Sequence, residues 1–458
     1  MESSVSEARA MPRVLKAEAW LLPGIILLTF AIYALSPVTT STDSAWTFHL
    51  AASMLREHNI DLDEYRGLMD LKLDYRLRTV GGHVYSYYPI ATPLLVTPAV
   101  WLTNVIYPHF YQIDFYTYLQ EHAPDTRTAK LEKVIASGIA ALAAALIYLI
   151  ARRELGARGS LVITSIFVLS TSMWSTASRA LWQHGPSALF LSAALFLLLL
   201  SHERPGLFLW IGMLLGYSYL IRPTNSLSVA FIGLYVLVNR RKDLWLYILG
   251  IALILVPYII QNWITYRNIF PPYSYQLFER LASPSVFGEA LAGTLISPGR
   301  GLLIFSPIFL FSLYGMFVRM RNKLSPANVN CYLAGIIIMH WLTTSLFEDW
   351  GGAWSIGPRY FVDIIPYLVY FLIPVLRGAL FASVGWRTAF ATAVLLSTLI
   401  QLHCATSIYP FMWNGKPRAL VEAPQRKWDW GDLQFLRGFC AGNALEGRAP
   451  ACWFERNG

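Results

Sequence analysis

Long apolar runs recur along almost the whole chain, and short basic or Gly/Pro-rich segments separate them. A helix that crosses about 30 Å of hydrocarbon needs roughly 20 predominantly apolar residues. The pattern therefore predicts an all-α polytopic membrane protein with about eleven transmembrane helices. The predicted spans lie near residues 20–36, 134–151, 159–176, 185–201, 206–221, 224–239, 244–263, 302–318, 329–347, 360–376 and 387–408.

Residues 89–107 are also apolar enough to span, but they contain Pro89, Pro93 and Pro98. Proline removes a backbone donor and interrupts helical hydrogen bonding. Counting this stretch as a span would also invert the side of every later loop. We therefore predict an interfacial or re-entrant helix here.

Composition supports a membrane location. The chain of 458 residues is 55% hydrophobic and 14% charged, whereas soluble domains carry about 25% charged residues. This excludes a secreted disulfide scaffold, a disordered protein and a soluble nucleotide-binding enzyme. The net charge of +9 fits anionic lipid headgroups better than nucleic acid.

Basic clusters predict the orientation in the bilayer. With the amino terminus in the cytoplasm, the segments RRELGAR, HERP, RRKD, RMRNK and LRG all lie on the cytoplasmic side, as the positive-inside rule requires. Residues 1–19 are then a cytoplasmic amino terminus, 20–408 a transmembrane domain, and 409–458 an extracytoplasmic tail. The first span reads as a retained anchor, and Cys440 and Cys452 in the tail could pair in an oxidising compartment.

The first outer loop, residues 37–133, is predicted to form a small α/β layer. STDSAWTFHLAASMLRE has helical spacing of apolar residues and fits a helix along the bilayer surface. Asp43 stands at its start and could simply cap that helix. LKLDYRLRTVGGHVYSYY alternates around Gly81 and Gly82, which predicts a β-hairpin.

Ionisable side chains gather at the outer membrane edge. Beyond Asp43 they are Arg179, His184, Arg222, Arg300, Glu348, Asp349 and Arg359. Each arginine alone could snorkel to the interface, His184 could bond within its loop, and nearby Trp and Tyr could form an aromatic belt. Their convergence on one face favours an anion-binding site, because guanidinium groups hold phosphate through paired hydrogen bonds.

Several kinds of chemistry have no sequence support. The chain has no GxxxxGK[ST], GxGxxG, GxSxG, HExxH or CxxC motif. We therefore expect no cofactor and no nucleotide-driven pump. A lipid-borne phosphate substrate fits, with its tail between helices and its phosphate against the arginines.

Five segments and one acidic residue together resemble a known family. YSYYPIATPLL, SRALWQHGPS, IRPTN, SPGRGLLIFSP, WGGAWSIGPRYFVDIIP and the acid after the first span are similar to the GT-C superfamily of membrane glycosyltransferases, in particular its bacterial dolichyl-phosphate-mannose-type and aminoarabinose-type members. The resemblance covers about residues 20–408. It implies sugar transfer from a polyprenyl phosphate or pyrophosphate carrier to a glycan, lipid or protein acceptor at the outer face of a bacterial cytoplasmic membrane.

The resemblance also implies roles for individual residues. Asp43 would be the general base for an inverting displacement. Arginine charge would stabilise the leaving phosphate; the donor-phosphate candidates are Arg179, His184, Arg222, Arg300 and Arg359. Possible substrate contacts are Tyr87, Tyr88, Glu348, Asp349 and Trp354. The family often has a paired acidic motif in the first loop, whereas Asp43 has no acidic neighbour, so a divalent metal is not supported here. Family members differ in whether acids elsewhere bind metal, which leaves that role open for Glu348 and Asp349.

Other functions remain open at this stage. A flippase or uptake carrier would use paired internal halves and ionisable residues near the midplane, and neither is evident in the sequence. A noncatalytic assembly subunit would need no reactive acid. A polysaccharide polymerase or ligase would use the same class of carrier, so only substrate chemistry separates it from the first hypothesis.

Overall fold

The computed structural model of the protein describes residues 20–201, 204–274, 284–321 and 328–439. In the first half, the helices and strands are α1 (Leu21–Leu35), α2 (Thr47–Arg56), β1 (Leu77–Val80), β2 (His83–Ser86), α3 (Ala91–Ile106), α4 (Phe115–Glu121), α5 (Thr126–Arg152), α6 (Ala157–Leu169), α7 (His184–Leu200) and α8 (Leu207–Ile221). The later helices are α9 (Ser226–Asn239), α10 (Leu244–Tyr266), α11 (Pro284–Ile296), α12 (Leu302–Phe305), α13 (Phe309–Arg321), α14 (Val329–Ser345), α15 (Ile365–Tyr370), α16 (Ile373–Arg377), α17 (Val384–Thr406) and α18 (Tyr409–Met412).

Every stretch predicted to span the membrane is helical, and the multi-pass α-helical class is confirmed. Two predicted spans are broken: residues 302–318 form α12 and α13, and residues 360–376 form a short turn followed by α15 and α16. Within the described residues, and with adjoining helical turns counted together, four helical stretches are long and apolar enough to cross a bilayer, at Thr126–Arg152, Arg241–Tyr266, Arg359–Arg377 and Val384–Thr406. The count of eleven crossings therefore stays a prediction.

Helix α5 lies at the centre of the bundle and packs against α1, α6 and α7. Asp125 caps its first turn by accepting a hydrogen bond from the backbone N–H of Thr128. Fully buried alanines, including Ala140 and Ala144, follow along the helix. Small side chains allow close helix approach in membranes, which explains why α5 can have so many helical neighbours.

Helices α8 and α10 cross in close contact. A Cβ atom at Gly212 would stand 2.2 Å from the carbonyl oxygen of Tyr247, and one at Gly250 would stand 2.1 Å from that of Leu209. Only glycine fits at either position. Both glycines lie nearer the start of their helix than its end, so this contact joins α8 and α10 towards the end of the bundle that carries the basic clusters.

The basic clusters meet at one end of the bundle. Arg319 and Arg377 both pair with Glu154, at 2.5 and 3.0 Å, so the segments RRELGAR, RMRNK and LRG lie together. Arg240 of RRKD donates to the backbone oxygen of Ser201, beside HERP. The grouping of these clusters agrees with the orientation predicted from the sequence.

The opposite end carries an outer layer made of α2, the hairpin, α3 and α4. The hairpin is confirmed: β1 pairs antiparallel with β2, and Gly81 and Gly82 have φ of +60° and +91°, as a type I′ turn requires. Helix α2 forms as predicted. Its residues 47–53 are buried, because α3 and α4 cover it.

Helix α3 corresponds to the proline-containing stretch 89–107. Tyr217, near the outer end of α8, donates to the carbonyl oxygen of Ala91 at 2.8 Å, and Arg127, at the outer start of α5, donates to the hydroxyl of Tyr107 at 2.7 Å. Both ends of α3 thus contact the same end of the bundle. Trp101 is 57% exposed on its free face. These contacts support an interfacial helix that does not cross.

Residues 409–439, here called the tail segment, fold back over the outer end of the bundle. The guanidinium of Arg300 donates to the side-chain oxygens of Asn414 and Gln434, which holds the segment in place. Residues 1–19, Cys440 and Cys452 lie outside the described residues.

Candidate functional site

Two cavities meet at the outer end of the bundle, beneath the hairpin and the tail segment. The larger has a volume of about 880 Å³ and the smaller about 80 Å³. Residues that line both cavities are Asp43, Tyr88, Arg222, Tyr273, Arg359 and Tyr360. These side chains form a wall that a substrate on either side would contact.

Asp43 lies in the loop between α1 and α2 and is held by two side chains. Its Oδ1 accepts a hydrogen bond from the Tyr75 hydroxyl at 3.0 Å, and its Oδ2 accepts one from Nη1 of Arg359 at 3.1 Å. Helix α2 begins only at Thr47, with Trp46 as its N-cap and no side-chain cap. Asp43 is therefore not a helix cap, and its carboxylate faces the cavities.

The environment of Asp43 keeps the carboxylate ionised. Burial opposes ionisation, but the charge of Arg359 and hydrogen bonds from Tyr88, Tyr75 and Arg359 outweigh it, so the pKa of Asp43 lies below its usual value. The group can accept a proton throughout the neutral range. Pairing with Arg359 also means that Asp43 is neutralised until another anion takes that arginine.

A buried ionic cluster stands behind the shared wall. Nε of Arg222 lies 2.9 Å from Oδ2 of Asp363, and Nδ1 of His184 lies 3.7 Å from Oδ1 of the same carboxylate. Arg222 also donates from Nη1 to His184 at 2.7 Å. The structure thus brings His184 and Arg222 together beside the smaller cavity. Asp363 balances the charge of Arg222.

Two predicted phosphate ligands lie elsewhere. Arg179 is fully buried and donates to the backbone oxygens of Val38 and Ala405. Arg300 is 1% exposed, and besides the tail segment it donates to the backbone oxygens of Gly299, Gly351 and Ala353. Neither lines the two cavities. In both cases carbonyl groups occupy the guanidinium donors that the sequence analysis assigned to phosphate.

The predicted substrate contacts all line the larger cavity; they are Tyr87, Tyr88, Glu348, Asp349 and Trp354. Two cations that the sequence analysis did not single out join them. Arg78 lies over the Tyr87 ring at 4.6 Å, and Nζ of Lys427 lies over the Trp350 ring at 4.2 Å. Arg78 lies in the hairpin and Lys427 lies in the tail segment. Neither belongs to a segment that carries the family resemblance.

The sequence analysis also missed Tyr75 and Asp363. The sequence contains a signal for Asp363, because this acid follows Arg359 by four residues inside the segment WGGAWSIGPRYFVDIIP. An acid in an apolar run is a functional candidate by default. Tyr75 gives no such signal, since its hydroxyl reaches Asp43 only through the fold of the outer layer.

One group of side chains among the described residues has the spacing of metal ligands: Asp61, Asp63 and His83, at the edge of the hairpin. Asp63 is already paired with Arg66 at 2.8 Å. None of the three lines either cavity, so this group gives no reason to place a metal beside Asp43.

The described residues have the fold of a multi-pass α-helical membrane protein. Residues 130–263 match the family model of dolichyl-phosphate-mannose-protein mannosyltransferases. No curated protein matches the chain at a significant level.

Two solved structures are similar along most of this chain. ArnT from Cupriavidus metallidurans bound to undecaprenyl phosphate has a TM-score of 0.52 at 16% identity, covering 87% of this chain and 65% of its own. The oligosaccharyltransferase AglB from Archaeoglobus fulgidus, in complex with an inhibitory peptide and a dolichol-phosphate, has a TM-score of 0.52 at 12% identity, covering 90% and 60%. This chain therefore spans less than two thirds of their lengths. The likeness confirms the fold predicted from the resemblance.

Proposed function

We propose that the protein is a membrane glycosyltransferase that moves a sugar from a polyprenyl phosphate carrier to an acceptor hydroxyl at the outer face of the membrane. The observation that carries the proposal is the position of Asp43, paired with Arg359 on the wall shared by two cavities. The acceptor hydroxyl and the donor sugar must meet beside the base, and a base on the shared wall is accessible from both cavities. The carriers bound to ArnT and AglB support a lipid phosphate as the donor.

The smaller cavity suits the phosphoryl group of the donor. Its lining includes Arg76, His184, Arg222 and Arg359, and its volume is that of a few water molecules. Positive charge placed where negative charge develops is the largest single contribution in many enzymes. We assign the larger cavity to the sugar and the acceptor.

The reaction is a direct displacement at the anomeric carbon. Asp43 takes the proton of the acceptor hydroxyl, whose oxygen forms the new bond to the anomeric carbon. The bond from that carbon to the phosphate oxygen breaks, and its electron pair leaves with the phosphate. Arg222 and Arg359, with His184, stabilise the charge that appears there. Attack opposite the leaving group inverts the anomeric centre.

The low pKa of Asp43 makes it a weak base while Arg359 is its partner. A donor phosphate beside Arg359 would compete for that guanidinium, and the pKa of Asp43 would rise towards the operating pH. General bases are most effective when their pKa is near that pH. Donor binding would thus make Asp43 a stronger base.

The test uses purified protein in liposomes with a polyprenyl-phosphate-linked sugar and an added acceptor. We expect wild-type turnover, loss of turnover in Asp43→Asn, and no change in Glu121→Gln, which removes an exposed acid of the outer layer. Retained turnover in Asp43→Asn would remove the proposed base. Movement of the labelled lipid across the bilayer without sugar transfer would make the protein a transporter instead.

A further inference from the structure

Glu132 is a fully buried acid on α5, close to the outer end of the bundle. Its Oε1 accepts a hydrogen bond from the Ser41 hydroxyl at 2.9 Å, and its Oε2 accepts one from the Ser44 hydroxyl at 2.5 Å. The backbone N–H of Leu181 points to Oε2 at 3.4 Å. No basic side chain among the described residues forms an ion pair with it. A buried carboxyl is costly unless donors satisfy it, and here three donors converge on it.

The partners of Glu132 come from the two segments that build the site. Ser41 and Ser44 flank Asp43, so both ends of the four-residue segment 41–44 are tied to one carboxyl group. Leu181 belongs to the loop that leads into His184 at the start of α7. Glu132 itself lines neither cavity. It therefore acts through its neighbours and not through a substrate.

Few other side chains among the described residues contact the segment 41–44. Arg76 donates to the backbone oxygen of Thr42 at 3.2 Å, and Tyr75 reaches Asp43 from the same side; both come from the outer layer. Arg359 reaches the carboxylate itself. Glu132 is the side chain that ties both ends of the segment to helix α5.

We propose that Glu132 is a positioning residue, which holds the Asp43 segment and the loop before His184 in register so that base and cations face the same cavities. This inference rests on the proposed function. Misplacement of a catalytic group by about 1 Å can reduce a rate on the order of 100-fold. The role requires an acceptor of the right length more than it requires a charge.

Conservative variants separate this role from simple packing. In Glu132→Gln the amide oxygen can accept from Ser44 and Leu181, while the amide nitrogen donates to the Ser41 hydroxyl, which can also accept. Glu132→Asp keeps the charge but is shorter by one methylene and cannot reach both serines. We expect Gln to preserve kcat better than Asp does, the reverse of what a charge requirement predicts.

The experiment measures kcat, KM for the donor and thermal unfolding for each variant in detergent or liposomes. We expect Glu132→Ala to lower kcat at least tenfold with a donor KM within threefold of wild type. The double variant Ser41→Ala/Ser44→Ala should show a similar loss, and adding Glu132→Ala to it should change kcat no further. Ser137→Ala is the control, because it removes a buried hydroxyl from the same helix that bonds only backbone oxygens.

A second measurement does not depend on turnover. With Asp43→Cys in place, the rate of alkylation by a water-soluble maleimide reports how the segment is held. We expect Glu132→Ala, but not Glu132→Gln, to change this rate at least threefold. An unchanged rate, or a kcat for Glu132→Ala within threefold of wild type, would overturn the positioning role. Failure of the wild type to transfer sugar would instead refute the proposed function, and the alkylation rates would still decide the role of Glu132.

Discussion

Nε of Arg222 and Oδ2 of Asp363 form an ion pair of 2.9 Å in which the two side chains are 6% and 0% exposed. Such pairs gain little over apolar packing, but the loss of one partner leaves an uncompensated charge in a medium of low dielectric constant. We therefore explain the buried pair by its function and not by a gain in stability. Asp363 keeps a cation beside the smaller cavity until an anionic substrate arrives.

Replacing Asp363 should destabilise the empty protein more than the donor-bound protein. We expect Asp363→Asn to lower the unfolding temperature, in line with the roughly 3–5 kcal/mol that breaking a buried pair costs. Added polyprenyl phosphate should raise that temperature more in the variant than in the wild type, because the phosphate supplies the missing negative charge near Arg222. Thermal unfolding with and without the lipid measures both effects.

Asp432→Asn is the matched control for this prediction. It breaks the ion pairs with Arg426 and Arg437, at 2.9 and 2.6 Å, in the tail segment, and neither arginine lines the cavities. The control should lose stability without any extra gain from the lipid. Equal gains in Asp363→Asn and in the wild type would mean that the phosphate does not bind beside Arg222.

Removing Arg359 should move the acid limb of the rate profile to higher pH. Burial raises the pKa of Asp43, and Arg359 is the strongest of the contributions that lower it. In the wild type, Asp43 thus stays ionised from neutral pH down past its usual pKa near 4. In Arg359→Gln the desolvation remains and the cation is gone, so the limb should rise by roughly one to three pH units.

Values of kcat/KM for the donor between pH 3 and 8, which report the free enzyme, measure this shift, with Lys72→Gln as a control that removes an exposed charge of the outer layer. The free energy of unfolding depends on the same ionisation. The Asp43–Arg359 pair stabilises the protein above the unfolded pKa of Asp43, and this stabilisation is lost as the pH falls through the lower folded pKa. An acid limb at the same pH in wild type and Arg359→Gln would show that Asp43 does not set it.

Tyr75 tests the other hydrogen bond to the base. Tyr75→Phe removes the 3.0 Å bond to Oδ1 of Asp43 and leaves the ring in place. Because the Tyr75 side chain is about half exposed, we expect only a two- to tenfold fall in kcat, less than the roughly 1.5–3 kcal/mol that a hydrogen bond to a charged group can contribute. Tyr111→Phe, at another exposed tyrosine of the outer layer, should leave kcat unchanged. A loss as large as that of Asp43→Asn would make Tyr75 part of the chemistry.

The sequence predicted the helices and the hairpin because their signals are local: apolar length for the spans, and Gly81 and Gly82 for the turn. It also predicted that Asp43 and Arg359 share one face, which their contact confirms. It could not predict which arginines face a cavity. The basic loops indicate on which side of the membrane a segment lies. The direction in which a guanidinium points depends instead on which carbonyl groups lie within its reach after folding.

Arg179 and Arg359 make that difference measurable. The donors of Arg179 satisfy the carbonyl of Val38 and that of Ala405, which lies in the last turn of α17 where carbonyls lack helical partners. Leaving buried carbonyls without donors costs about 1–3 kcal/mol each, so Arg179→Ala should lower the unfolding temperature while the remaining folded protein keeps its affinity for polyprenyl phosphate. Arg359→Ala should instead weaken the affinity for polyprenyl phosphate, because its guanidinium lines both cavities. Thermal shift and lipid titration on both variants give the answer. A weakened lipid affinity in Arg179→Ala at unchanged stability would return Arg179 to the phosphate site.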